Sequence, residues 1–405
     1  MVLGGTGRGR LPASLSTDAL REVWRGSRDA SATPGAPGID GIRAPQFASD
    51  LADNIKRVRQ EIRADSYRFN RLRLARVLKE SGGYRILAIP TVRDRLVQRA
   101  ILRHLEANQR FEPSSAISYG FAKQRTLADA QRAALGLRNS RPWVLKCDIV
   151  RFFDRIPRSH LKELIRKKVG WKVIARLLCR AVDSELQLRT SEDLELATEN
   201  GVQVGVGLRQ GMPVSPMLSN LLLKRFDERL GKLGIVAIRY ADDIAVFTDS
   251  RDAAKVALNA IQAGLAELEL EVPDLLDGGK TSISGPTDVA EFLGVEIRRK
   301  GETYKLCAPA RKLEKIEAAM AAMVQVQQCI ADKRNIGQVV RALDSFTIGH
   351  AASMAVLEDG GDFMARLEAC KQRQLRALLV NLLGTKVVGS LGPDHLAILG
   401  VEAFK

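Results

Sequence analysis

The chain has 405 residues, a formal net charge of +16, 45% apolar side chains and 27% charged ones. That is room for two or three domains and ample apolar surface for their cores, which excludes wholesale disorder. No window approaches the roughly 18 uncharged apolar residues of a membrane helix, and the glycine-rich N-terminus lacks a signal-peptide core, so a cytoplasmic protein without a membrane span is expected.

Residues 1–36 are rich in Gly, Ser, Ala and Pro around one helical stretch near Leu20 to Arg25, which predicts a loose N-terminal arm. From Gln46 to Ala64, Phe47, Leu51, Ile55, Val58 and Ile62 recur at helical spacing. Arg71 to Leu78 alternates basic and apolar side chains, Ser81-Gly82-Gly83 is a turn, and Tyr84 to Ile89 returns, giving a hairpin with a basic face. Val92 to Leu105 is helical again. In the middle, two short apolar strands each end in acid: Val144 to Cys147 before Asp148, and Ile235 to Tyr240 before Asp242-Asp243, with Ile244 to Phe247 following. Helical stretches at 159–182, 215–230 and 251–269 flank them, and helices on a mostly antiparallel sheet predict an α+β domain. Beyond a boundary near residue 308 the pattern is helical, at 311–329, 334–345 and 362–383.

Cys147, Cys179, Cys307, Cys329 and Cys370 are odd in number and form no CxxC pair, and the four histidines are isolated. This excludes a zinc ribbon or a disulfide scaffold and predicts reduced thiols. Positive charge is concentrated early: residues 1–110 hold 21 basic and 11 acidic side chains, against 12 and 10 in residues 311–405. Such a field attracts polyphosphates, although a solubilising surface has the same composition.

Adjacent aspartates between two apolar half-strands mark a hairpin turn with at least one carboxylate aimed across the sheet. Convergent carboxylates suit hard cations such as Mg²⁺, and two such ions can activate a hydroxyl and stabilise a leaving pyrophosphate. A turn that merely contains two aspartates has the same pattern, so this feature alone leaves both readings open. Gln210-Gly211-Met212-Pro213-Val214-Ser215-Pro216 precedes a helix whose start has serine and proline in favoured places. Gly211 lets backbone approach a ligand, and Gln210 offers polar contact to a nucleotide.

Three segments together carry a resemblance. Tyr240-Ala241-Asp242-Asp243, the Gln210-Gly211-x-Pro-x-Ser-Pro run and Asp148-x4-Phe153 are similar, in order and spacing, to the core motifs of reverse transcriptases. Pro37-Gly38-Ile39-Asp40-Gly41, Arg85 to Thr91 with Asp94 to Gln98, Ser118-Tyr119-Gly120-Phe121 and Phe292-Leu293-Gly294 resemble further elements of bacterial group II intron-like enzymes. The likeness spans about residues 37–300.

The resemblance implies a right-hand polymerase: an N-terminal arm over 1–36, fingers over 37–140, a palm with antiparallel sheet and catalytic centre over 141–307, and a helical thumb over 308–405. It implies catalytic Asp148, Asp242 and Asp243, with two Mg²⁺ ions held by these aspartates and the Ile149 carbonyl. Phe153 would exclude the ribose 2′-hydroxyl, Gln210 would sit beside the incoming dNTP, and Arg85, with Lys79, would meet its triphosphate. Lys280 falls where the family has a lysine thought to protonate pyrophosphate. Lys312, Lys315, Lys371, Arg373 and Arg376 would face the duplex, and Leu313, Ile316, Met320 and Met323 would form the thumb's buried stripe.

The Arg209-Gln210-Gly211-Met212 run departs from the Pro-Gln-Gly-Gly usual in intron enzymes, and no endonuclease-like cysteine–histidine cluster follows the thumb. A compact polymerase with a helical tail resembles the "unknown group" of antiphage reverse transcriptases, which would copy a dedicated non-coding RNA into DNA. The alternative is a group II intron-encoded reverse transcriptase and maturase that binds intron RNA for splicing and mobility. A non-polymerising RNA scaffold is disfavoured by the intact carboxylates.

Overall fold

The computed structural model describes residues 11–78, 83–108, 111–275, 279–309, 311–354 and 356–398. Its contacts divide the chain into two compact units, each gathered from separate stretches: 1–124, 147–244 and 255–281 in the first, and 125–146, 245–254 and 282–405 in the second. In chain order the strands are β1 Leu72–Leu78, β2 Tyr84–Ile89, β3 Trp143–Asp148, β4 Leu186–Gln187, β5 Ala237–Tyr240, β6 Asp243–Thr248, β7 Ser282–Ser284, β8 Ala290–Phe292, β9 Val295–Lys300 and β10 Thr303–Cys307. This mixture of helix and largely antiparallel sheet, followed by helices after Pro309, is the α+β class expected of a right-hand polymerase.

In the first unit β1 and β2 form the expected antiparallel hairpin, with Val77 opposite Arg85. The two-residue strand β4 adds a short parallel ladder to β1, an element the sequence pattern does not announce. The acidic ends of β3 and β6 belong to this unit, where the strand order is β5-β6-β3. Two expected long helices are broken. Gln46 to Ala64 becomes Ala44–Ser49 and Leu51–Arg63, divided at Asp50, and 159–182 becomes Arg158–Lys168 and Lys172–Val182, divided at Val169-Gly170-Trp171.

The loose N-terminal arm is a correction. Within the described part, helix Thr17–Arg25 is capped by Ser16 and buries Leu20, Val23 and Trp24. Asp29 is buried and accepts from Arg95 at 2.7 and 3.0 Å and from Arg99 at 2.5 Å. Burial alone would raise the Asp29 carboxyl; hydrogen bonds and charge from the two arginines outweigh it and hold the group below the usual carboxylate range. Glycine and serine content misled here, because one buried carboxylate paired with two arginines and a few large apolar side chains anchor the segment.

In the second unit β3 pairs antiparallel with β7, Val144 opposite Ser284, and β8, β9 and β10 form a separate antiparallel sheet. Phe292-Leu293-Gly294 is its first turn: Leu293 and Gly294 both have positive φ, the twist that a two-residue hairpin requires. Arg138, fully buried on helix Leu127–Ser140, donates to the carbonyls of Ile297 (2.6 Å), Gly285 (3.0 Å) and Asp288 (2.6 Å) and lies over the Tyr304 ring. The C-terminal helices include Lys312–Met323, Ile336–Met354 and Gly360–Leu383. Ile316 and Met320 are buried as expected, with Leu313 and Met323 half-buried. The cations assigned to a duplex-facing surface are partly committed elsewhere. Lys371 pairs with Asp344 and Glu368, at 3.1 and 2.7 Å, and Arg373 pairs with Glu317 at 2.8 Å. All five cysteines are free thiols; Cys179 is half-buried and the others are buried.

Candidate active site

β5 and β6 are joined by the turn that carries the aspartates. Ala241 sits at φ 58°, a left-handed conformation that costs a non-glycine residue about 1 kcal/mol and persists only when its surroundings impose it. The surroundings are specific. Arg239, fully buried on β5, makes a two-pronged ion pair with buried Asp227 (Nε–Oδ1 2.8 Å, Nη2–Oδ2 2.6 Å). Its Nη1 donates to the Ala241 carbonyl at 2.9 Å and to Asn220 Oδ1 at 3.1 Å. Asn220 and Asp227 lie seven residues apart on helix Ser215–Lys232 and therefore share a face. Asn220 also donates to the Gly120 carbonyl at 2.9 Å.

The Ser118-to-Phe121 segment completes the support. Ser118 bridges to Arg239, and the Tyr119 amide donates to the Arg239 carbonyl at 2.8 Å. A Cβ on Gly120 would collide with the Ala241 amide, so only glycine permits this approach. Arg239, Asp227 and Asn220 have structural roles that sequence reasoning missed. The available signal is a lone arginine inside the otherwise apolar Ile235–Tyr240 run.

The turn and the end of β3 are tied together. The Ile149 amide donates to the Asp242 carbonyl at 3.2 Å. The Asp148 charge is felt at the Asp242 carboxyl. Burial first, then the Asp148 and Asp243 charges, push the Asp242 carboxyl up to about 6. Burial, with the charges of Asp148 and Asp243, likewise pushes the Cys147 thiol up to about 12. Lys280 Nζ lies 2.9 Å from Asp148 Oδ2, and its neighbour Thr281, fully buried, donates to the Pro273 carbonyl at 2.7 Å. The bond to Asp148, with charge from all three aspartates, raises the Lys280 ammonium pKa.

Phe152 is buried core, whereas Phe153 beside it (ring centroids 5.3 Å apart) is only half-buried. The Phe153 carbonyl accepts from the Leu208 amide at 2.6 Å, joining the Asp148 segment to the Gln210 loop. The Gln210 carbonyl accepts from the Ala88 amide on β2 at 2.7 Å, and Gly211, at φ 107°, lies so close that a Cβ would sit 2.5 Å from the Ala88 oxygen. That contact joins the Gln210 loop to the strand bearing Arg85, which is exposed and, among the described residues, has no ion-pair partner. Arg209 is buried and pairs with Glu185 at 2.8 Å, which also holds buried Arg158 at 2.6 Å. Lys79 lies outside the described residues.

Asp148 and Asp242 are partly buried carboxylates on adjoining segments, one of them with a raised pKa, and hard oxygen donors of this kind suit a divalent cation. Among the described residues no group of three histidine, cysteine, aspartate or glutamate side chains forms a ready-made metal cage, so further ligands would come from backbone, water or substrate. Among the same residues no helix is long and apolar enough to cross a membrane.

An acid pair at a strand end and a hairpin turn, with a glycine-bearing loop tied to the segment after Asp148, has the hard oxygen donors that metal-dependent nucleotidyl transfer needs. The family model described as reverse transcriptase (RNA-dependent DNA polymerase) matches residues 77–297, and the chain belongs to that family, an RNA-directed DNA polymerase whose members use divalent metals. The chain is similar to Protein YkfC of Escherichia coli, at 26% identity over 307 residues, 66% of this chain and 77% of that one. It is similar also to the retron Mx65 reverse transcriptase of Myxococcus xanthus, at 30% identity, covering 55% of this chain and 50% of that one. The apo telomerase of Candida tropicalis aligns over 79% of this chain and 63% of its own, with TM-score 0.45 and 12% identity.

Proposed function

We propose that the chain synthesises DNA from dNTPs on an RNA template, with Asp148 and Asp242, assisted by Asp243 and the Ile149 carbonyl, holding two Mg²⁺ ions. When bound, these ions would activate the primer 3′-hydroxyl and neutralise charge on the departing pyrophosphate. The observation that carries the reading is that Asp148, at the end of β3, and Asp242, in the β5–β6 turn, are brought side by side, with the Ile149 amide donating to the Asp242 carbonyl at 3.2 Å. Phe153, half-buried five residues after Asp148, would crowd a 2′-hydroxyl and so favour deoxyribose. Gln210 would face the incoming nucleotide, with Arg85 and Lys79 toward its phosphates. Lys280, close to Asp148, would offer a proton or a charge to pyrophosphate. On this reading residues 1–36 are the N-terminal arm, 37–140 the fingers, 141–307 the palm and 308–405 the thumb.

The template is proposed to be a dedicated structured non-coding RNA and the setting cytoplasmic antiphage defence; similarity to a retron reverse transcriptase supports reverse transcription itself. The test is primer extension on an RNA template with the purified chain. Asp148→Asn and Asp242→Asn are expected to lower Mg²⁺-dependent incorporation by on the order of a thousandfold or more while the melting transition is retained. Wild-type extension by either variant would remove the assignment. Sequencing of copurifying RNA identifies the template, and phage plating on cells carrying wild type or Asp242→Asn tests the defence role.

A further inference from the structure

The corner between helices Arg158–Lys168 and Lys172–Val182 is built, Val169 apart, from residues that neither the acid pair nor the core uses. Residues 166–172 read Arg-Lys-Lys-Val-Gly-Trp-Lys; Val169 is buried and the other six are exposed. Among the described residues Arg166, Lys168 and Lys172 make no ion pair or hydrogen bond, while Lys167 pairs with Glu163. Trp171 is 48% exposed, and its indole is held at the corner by a T-shaped contact with His104, ring centroids 5.6 Å apart. Burial lowers the His104 pKa, which keeps that ring neutral near pH 7.

The surface continues from Lys168 into a cleft of about 160 Å³ that Lys224 and Arg225 also line, with Glu112 and Glu228 as its acidic members. Lys224 donates to the Glu112 carbonyl at 2.5 Å, while Arg225 is exposed without an ion pair or hydrogen bond among the described residues. A single exposed tryptophan is unremarkable on a protein surface. One held by a neighbouring ring and bordered by cations that, among the described residues, make no ion pair has the two parts of a single-strand binding site: an aromatic platform for a base and charge for the flanking phosphates.

We propose that this corner is a second RNA-binding surface, where Trp171 stacks on an unpaired base and Lys168, Lys172 and Arg225 hold adjacent phosphates of a structured RNA. The proposal rests on the reading of the chain as an RNA-copying polymerase. Helix Arg158–Lys168 begins ten residues after Asp148, and its 11 residues carry the corner about 15 Å along the helix axis from that start. An unpaired RNA base fits better than a closed duplex, which shows no free base face to stack on. The surface would anchor a template RNA while its copied segment moves through the polymerase centre.

The test measures affinity of the full chain, across a salt series, for a synthetic RNA with a stem and single-stranded flanks, and for duplex DNA of equal length. Trp171→Ala is expected to weaken RNA binding about tenfold, and Trp171→Phe, which keeps an aromatic face, to retain most of it. Lys168→Gln with Lys172→Gln should lower the log–log salt slope by about 1.4 units, two single-strand phosphate contacts. Single-nucleotide addition on a saturating short primer–template should stay within about twofold in every variant. Unchanged RNA affinity in Trp171→Ala, or an equal loss on duplex DNA, would overturn the proposal. If wild type fails to extend primers yet binds RNA through Trp171, the polymerase reading falls and this surface stands.

Discussion

Asp242 leaves a turn held from beneath by a fully buried arginine–aspartate pair, whereas Asp148 stands at a strand end and meets an ammonium whose side chain is 71% exposed. The chemistry of the two ion pairs is alike, but their physics differs. A buried pair with matched geometry has few alternatives, and losing one partner strands a charge away from water, at a cost of about 3–5 kcal/mol. An exposed lysine–carboxylate pair is screened and contributes about 0–1 kcal/mol. One side of the acid pair is therefore fixed in place, and the other side has a partner that can leave.

Removing one member of the buried pair tests this most severely. Asp227→Asn is expected to destabilise the protein by about 3–5 kcal/mol and, measured below its melting temperature, to slow nucleotide addition about 10–100-fold. Replacing both partners, as in Asp227→Leu with Arg239→Met, should restore much of the stability without restoring the rate, because the Ala241 carbonyl still lacks its donor. If the double variant recovers both, Arg239 only packs the core and does not position the turn.

The Asp29 cluster provides the matching control, a buried ion pair without a contact to the acids. Asp29→Asn should cost about 3 kcal/mol in urea melts and leave the rate of addition unchanged. Because the folded-state pKa of Asp29 is depressed, its stabilisation is present in full above its unfolded value near 3.8 and is lost as pH falls through the lower folded value. The gap between wild type and variant should thus hold from neutral pH to about 5 and close in stronger acid. A gap that closes above pH 5 would mean that the ion pair is not the stabilising element.

Phe153→Val is expected to raise ribonucleotide relative to deoxynucleotide incorporation on the order of tenfold, with little change in melting, because Phe152 supplies the core contact. An unchanged ratio with a lowered melting temperature would assign Phe153 to packing instead. The smallest effect belongs to the exposed side: Lys280→Ala should change stability by less than about 1 kcal/mol. It should slow addition only severalfold, in a salt-sensitive way. A collapse in stability would show that the two sides of the acid pair are built alike.

Much of the first unit could be read in the sequence. The basic hairpin of β1 and β2, the strands leading to Asp148 and to the Asp242 turn, and the helix starting near Pro216 follow from apolar periodicity and turn chemistry, which are local. The short strand β4 and the sheet of β8, β9 and β10 could not, because β4 has two residues and β9 reads Val-Glu-Ile-Arg-Arg-Lys, whose charges hide the alternation. Arg373 and Lys371 looked free because Glu317 and Asp344 are 56 and 27 residues away, although Lys371 also pairs with Glu368 one turn before it. Sequence alone determined the residue types of the acid pair, their order and the family they belong to. Only the tertiary structure decided that Arg239, Asp227, Asn220 and Gly120, from three separate segments, converge on one strained peptide, since burial and charge pairing depend on which distant residues meet.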